Sequence, residues 1–369
     1  MSNKIPVAEP DIGQEELDNI IEAVKSGWIS SKGKFIVEFE EKFSKYCSAK
    51  FGVSTSNGTA ALHLALAALG IKTGDEVIIP TLTFIACANV VRYTGAKAVF
   101  VDSHPDYWCI DPEKIEEKIT KKTKAIMPVH LYGHPCDMEP ITKIAKKHNL
   151  FVIEDCAEAH GAEYRGKKVG SFGTISCFSF YGNKIITTGE GGMCLTNDEV
   201  LAGKMRILRD HGMSPQKRYW HEVIGFNYRM TNLQAAIGVA QLNRIDKFVE
   251  QKRKNAEIYN KFLKNVDEIV LAPEMPWAKS VYWMYSILVK DNFGLDRDNV
   301  LDKLTRSGID NRPFFYPIHC MPPYKENISY PIAEKLSAEG LNLPSSVKLS
   351  KNDIQTIATV LNSRSQIKD

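Results

Sequence analysis

The chain is 369 residues long, 44% apolar and 25% charged, enough for a large core and two domains of an ordinary globular kind. Its net charge of +3 is too small to point to a nucleic-acid partner, and no segment offers the roughly 18 consecutive apolar residues of a membrane span. Eight cysteines without a CxxC pair exclude the usual zinc and iron–sulfur spacings, so no metal is expected. The first ten residues lack a signal peptide's apolar stretch, and the chain reads as cytoplasmic with reduced thiols.

Residues 14–26 predict an amphipathic helix with Leu17, Ile20, Ile21 and Val24 on one face, ended by Gly27. Residues 34–47 predict a second helix, with Phe35, Phe39 and Phe43 four apart. An alternation follows. Strands are expected from Val53 and over 76–80, 98–102, 125–129 and 151–154, with helices over 60–69, 84–94, 112–119 and 138–148 between them. Further strands are expected over 175–180 and 192–196. Strands separated by helices imply an α/β fold with a mostly parallel sheet flanked by helices. One long helix is expected from residue 232 to about 262, then strand 282–289 and helices 297–307 and 351–363. The boundary falls near 245, giving a large domain over 1–245 and a smaller α+β domain over 246–369, on which the first helix is free to pack.

Lys184 lies in Ser-Phe-Tyr-Gly-Asn-Lys-Ile-Ile-Thr-Thr-Gly-Glu-Gly-Gly, among small, polar and glycine residues that let a planar ligand approach. A lysine amine that sheds its proton can form a Schiff base with an aldehyde cofactor. Val-Ile-Glu-Asp-Cys-Ala-Glu-Ala-His-Gly-Ala, residues 152–162, reads as a buried strand ending in an acid, the place where α/β folds meet ligands. Asp155 can serve a pyridinium nitrogen, although a carboxylate there can also cap a helix. Ala157 is small enough to lie against one face of a ring. Phe84 can stack on the other face or belong to the core. Ser56-Asn57-Gly58-Thr59-Ala60-Ala61-Leu62 is a strand–turn–helix joint whose free N–H groups suit a phosphate; plain N-capping is the alternative. Ser179 can bond the same phosphate or simply point out of its strand. Thr231 or Asn232 caps the long helix, whereas Asn227 and Arg229 suit an anionic ligand, across a subunit interface if the chain dimerises. His63, inside an apolar helix, reads as core.

Together these segments resemble the DegT/DnrJ/EryC1/StrS family of pyridoxal-phosphate-dependent nucleotide-sugar aminotransferases, from Ile5 to about Val360. The resemblance implies fold type I of these transferases. Lys184 would carry the cofactor and move protons, Asp155 would pair with the ring nitrogen, and Glu158 would meet the ring hydroxyl. Gly58, Thr59 and Ser179 would hold the phosphate, completed by Asn227 of a neighbouring subunit in a homodimer with shared sites. Three segments, Ser26–Gly33, Arg218–His221 and Arg312–His319, resemble the branch that moves glutamate's amino group to C4 of GDP-4-keto-6-deoxymannose. On that basis Trp28, Ser30, Arg312, Tyr316 and His319 are expected at the substrate, together with Arg229 from the run before the long helix. UDP-linked keto sugars, a pyridoxal-phosphate-dependent dehydratase, and a nucleotide-sugar binding module without catalysis are the alternatives.

Overall fold

The computed structural model describes residues 4–363; residues 1–3 and 364–369, the outer ends of the two expected domains, lie outside the described residues. The main sheet has seven strands: β1 (Phe51–Thr55), β2 (Glu76–Pro80), β3 (Lys97–Val101), β4 (Thr123–Ile126), β5 (Phe151–Asp155), β6 (Ile175–Ser179) and β7 (Gly192–Thr196). Their order is β1-β7-β6-β5-β4-β2-β3. Only β7 runs against its neighbours, pairing antiparallel with β1 and β6. β6, β5, β4, β2 and β3 pair parallel. The Val-Ile-Ile and Val-Ile-Glu-Asp cores of β2 and β5 are buried throughout, as strands covered on both faces must be.

The helices are α1 (Gln14–Lys25), α2 (Lys34–Tyr46), α3 (Gly58–Ala68), α4 (Ala86–Tyr93), α5 (Met138–His148), α6 (Glu199–Arg209), α7 (Asn232–Asn243), α8 (Ile245–Leu263), α9 (Arg297–Arg306), α10 (Pro331–Glu339) and α11 (Lys351–Asn362). α3 is apolar on nearly every side and is largely buried, against β6 and β7. The phenylalanine stripe of α2 seats on β6 and the residue after it: Phe39 meets Phe180 at 4.9 Å and Phe43 meets Phe178 at 4.8 Å between ring centroids. This packing braces the strand that leads into Lys184.

Four expectations are corrected. The helix over 232–262 is two helices, broken at Arg244 (φ −111°, ψ 2°). The Arg244 guanidinium there serves the Asp11 carbonyl and carboxylate and the Glu16 carboxylate. Residues 112–119 form two short 3-10 turns instead of a helix. α1 packs on α7, not on the C-terminal part of the chain. Its inward residues are Glu16 and Ala23, while Leu17, Ile21 and Val24 stand exposed. Glu16 goes inward because Gln241 and Arg244 donate to it.

A second, antiparallel sheet is formed by β8 (Ile269–Val270), β9 (Tyr285–Val289), β10 (Arg312–Pro313) and β11 (Gly340–Leu343), in the order β8-β9-β11-β10. It packs with α9, α11 and the end of α8 into a core of its own. Pairs Glu163–Tyr164, Lys167–Lys168 and Ala278–Lys279 make a small third sheet. The two cores are tied before α1, where Ile5 bridges Ile309 and Val7 accepts from the Ser345 N–H at 2.8 Å. α8 spans both: Ile245, Phe248 and Val249 belong to the first core and Ala256, Tyr259 and Leu263 to the second. The Val281 N–H donates to Gly133 O at 3.0 Å and the Ile318 N–H to Thr81 O at 2.8 Å. All eight cysteines are free, and seven are buried. No helix of the described residues is long and apolar enough to cross a membrane.

Candidate active site

A cavity of about 570 Å³ opens where the parallel strands end. Alternation along β5 decides which acid faces it. Glu154 points away and is saturated by the Gly170, Phe172 and Gly173 N–H groups, the Ser176 hydroxyl and His130. Burial opposes its charge, but those bonds and His130 win and hold its carboxyl below the usual range. Asp155, one residue on, faces the cavity. Its Oδ1 accepts the Ala157 N–H at 3.0 Å and its Oδ2 accepts the Cys87 thiol at 3.1 Å. Burial pushes its pKa up, so it gains from a cationic partner in the cavity.

Lys184 follows β6 in a loop held by Phe180 N–H to Gly191 O and Thr188 N–H to Phe180 O. Its side chain is 11% exposed and its Nζ lies 3.8 Å from Glu158 Oε1. The same Nζ sits 3.8 Å from the centroid of the Trp283 ring. Burial draws the Lys184 pKa down against the opposing pull of Glu158 and Asp155. Burial also pushes Glu158 up to about 7, with Lys184 the strongest opposing influence. Both shifts favour a pair close to neutrality, with an amine able to act as base or nucleophile. Glu158 Oε2 is fixed by the Tyr132 N–H at 2.8 Å.

The far wall is built for an anion. Asn57 caps α3, accepting the Ala60 N–H at 2.8 Å. Gly58 and Thr59 begin the helix at the cavity, where helix N–H groups and the positive end of the dipole lie. A Cβ on Gly58 would stand 2.6 Å from the Ser179 Cβ, so only glycine lets that hydroxyl come so near. Asn183 Oδ1, also on the cavity lining, is buried without a hydrogen-bond partner. A buried acid, an anion cradle, an amine and an orphaned acceptor around one space fit pyridoxal phosphate.

Gly58, Thr59, Phe84, Asp155, Ala157, Glu158, Ser179 and Lys184 all line this cavity. Phe84 is 54% exposed at its mouth, 5.8 Å from Phe315 between centroids. Asn227, Arg229, Trp28, Ser30, Arg312, Tyr316 and His319 do not line it. Asn227 is exposed and accepts from Arg229, which also pairs with Asp210. Arg312 pairs with Asp310. Trp28 and Tyr316 are exposed, and the Ser30 carbonyl accepts the Asn232 N–H at 2.6 Å. His319 is 3% exposed, and both ring nitrogens are engaged, by Thr81 at 2.7 Å and Glu334 at 3.2 Å. His160 turns from the cavity into Phe43, Phe178 and Phe180. His63 is buried beside Tyr228. Cys87, Asn183, Trp283 and Phe315 line it as well; Asn183 and Phe315 lie in segments the sequence singles out, whereas nothing local marks Cys87 or Trp283.

The DegT/DnrJ/EryC1/StrS aminotransferase family model matches residues 10–362. The GDP-perosamine synthase of Caulobacter vibrioides is 50% identical over 361 residues, covering 97% of each chain. That of Escherichia coli O157:H7 is 50% identical over 97% of this chain and 98% of its own. The solved PMP-form of the putative sugar aminotransferase Spr1654 from Streptococcus pneumoniae superposes with a TM-score of 0.92 at 27% identity, covering 98% of both chains. With its cavity, its lysine and its acid in place, the chain belongs to the DegT/DnrJ/EryC1/StrS aminotransferase family and is a pyridoxal-phosphate-dependent sugar aminotransferase.

Proposed function

We propose that this enzyme takes the amino group of L-glutamate and places it on C4 of GDP-4-keto-6-deoxymannose, making GDP-perosamine for O-antigen or related polysaccharide synthesis in the cytoplasm. The observation that carries this reading is the 50% identity to GDP-perosamine synthases along 97% of the chain. Bound pyridoxal phosphate supplies an aldehyde that accepts the amino group and a ring that withdraws electrons. Asp155 holds a proton on the ring nitrogen, its own charge oriented by Ala157 and Cys87. Lys184 would move a proton between the nitrogen-bearing carbon of each substrate and the cofactor's carbon, a general acid–base task suited to its lowered pKa. Gly58, Thr59 and Ser179 anchor the phosphate, and Trp283 and Phe315 shield the amine from water.

The reading includes a homodimer in which Asn227 serves the partner's phosphate. Its support is twofold. Asn227 is exposed outside the cavity of its own chain. α1 and the residues after it also expose Leu17, Ile21, Val24, Trp28 and Ile29, an apolar stripe of the kind that marks interfaces. Trp28, Ser30, Arg229, Arg312 and Tyr316 are then substrate contacts at the mouth.

The test is product analysis with glutamate, pyridoxal phosphate and GDP-, UDP- or dTDP-linked 4-keto-6-deoxy sugars. Aminated GDP sugar with one 2-oxoglutarate per turnover is expected. Preference for a UDP or dTDP sugar overturns the nucleotide assignment; sugar deoxygenation without glutamate consumption overturns transamination.

A further inference from the structure

We propose that Lys252 is a positioning residue of the reaction: from α8 it fixes Trp283, the wall against which the Lys184 amine is held. The inference rests on the reading of Lys184 as the cofactor-bearing lysine. Lys252 is 5% exposed, and its Nζ donates to the carbonyls of Trp283 at 3.1 Å and Ser345 at 2.7 Å. Among the described residues no carboxylate forms an ion pair with it. A buried amine without a counter-charge is expensive, and burial draws this one down to about 7.

The helix already has neutral ties to the same loop. Asn255 donates to Ser346 O at 3.0 Å and Tyr259 to Pro344 O at 2.9 Å. Those two bonds dock α8 on the loop after β11. The addition Lys252 makes is its bond to Trp283.

Trp283 is held from several sides. Its carbonyl is fixed by Lys252, and its indole N–H donates to the carbonyl of Asn183 at 2.8 Å. A Cβ on Gly133 (φ +103°) would lie 2.6 Å from the Trp283 nitrogen, so that backbone is closely packed too. The ring so fixed faces Lys184 Nζ at 3.8 Å. Lys252 and Lys184 also line one small void behind the cavity, with Asn183, Phe248, Glu9 and Asp11. Glu9 is exposed and Asp11 pairs with Arg244. The charged or titratable groups facing Lys184 itself are Glu158, Asp155 and Cys87, with His160, which burial keeps neutral, behind them.

The geometry assigns a consequence. Without the hold on its main chain, Trp283 tilts, water reaches Lys184, and the amine loses its aim. Misplacement of about 1 Å costs on the order of 100-fold in rate. Admitting water favours the protonated form at the lysine nitrogen.

The test uses holoenzyme carrying Lys252→Met, Lys252→Gln, Lys252→Arg, Trp283→Phe, or Lys252→Met with Trp283→Phe. Three quantities are read: kcat, KM, and the pH midpoint of the visible band that depends on Lys184. Lys252→Met and Trp283→Phe should each lower kcat about 10- to 100-fold with KM little changed, and raise the midpoint by about one unit. The double variant should do no worse than the worse single one, because both lesions act through one side chain. Lys252→Arg, which retains donors for both carbonyls, should recover most of the midpoint. A Lys252→Met protein with lowered Tm but unchanged kcat and midpoint, or additive effects in the double variant, overturns the inference. Where Lys252→Met does not fold, Lys252→Gln is held to the same outcomes. A wild-type spectrum matched by Lys184→Ala would instead overturn the reading on which this rests.

Discussion

Glu158 and Lys184 meet at 3.8 Å inside a cavity that favours neither charge. Glu158 sits at about 7 against an ordinary 4.5. Below 4.5 it is protonated whether the chain is folded or not, and its full contribution to stability is present. As the pH rises towards 7 the unfolded chain gains by ionising while the folded chain does not, so that contribution is lost across the window. Glu158→Gln cannot ionise and should escape the loss. In protein stripped of cofactor, the Tm of Glu158→Gln relative to wild type should climb between about pH 4.5 and 7 and level off above; a difference independent of pH would contradict this account. Asp155 invites a kinetic experiment. Asp155→Ala should cut kcat by two or more orders of magnitude while leaving sugar KM within a few-fold, since the ring's electron withdrawal matters in the transition state. A change confined to KM would make Asp155 a binding residue. Asp155 and Lys184 are legible in the sequence because each sits in a local pattern, a strand end or a glycine-flanked loop, whereas Glu158 is picked out only by the family resemblance. Trp283 is not legible: it is a hundred residues from Asn183 in the chain, and only folding sets its indole on that carbonyl.

At the scale of elements, the start of α3 is the part of the cradle that tolerates least. Gly58→Ala improves helix propensity by up to about 1 kcal/mol, but its Cβ meets Ser179 at 2.6 Å. Overpacking of this kind costs about 1–3 kcal/mol, and the side chain that must move is the one proposed to hold the phosphate. Gly58→Ala should therefore weaken pyridoxal phosphate affinity at least tenfold by fluorescence titration, and a companion Ser179→Gly should relieve the clash and restore helix stability without restoring that hydroxyl. Wild-type affinity in Gly58→Ala would disprove the close approach. The strands of the main sheet follow from the sequence, since short β-branched runs between helical patterns leave little choice. α1 does not. Its apolar face looks inward by periodicity, yet Glu16 takes the inside because Gln241 and Arg244 wait there. The break at Arg244 has the same origin, as an arginine satisfying Asp11 and Glu16 bends the path between α7 and α8.

At the scale of the whole molecule, the shared site proposed above makes a prediction about mixtures. Lys184→Ala and Asn227→Asp proteins, each inactive alone, should regain activity when their subunits exchange. Each heterodimer then has one site with both lesions and one with neither, so activity approaches half of wild type per heterodimer. The added carboxylate in Asn227→Asp repels the phosphate and empties the damaged site. Zero activity after exchange, verified by native mass spectrometry, would place both residues in one subunit's site. The two cores within a chain pose a different mechanical question. They are joined by the segment at Ile5 and Val7 and by α8. Trp283 belongs to the first core and Phe315 packs against it, so the walls these two give the cavity are carried by the main-sheet body and not by the second core.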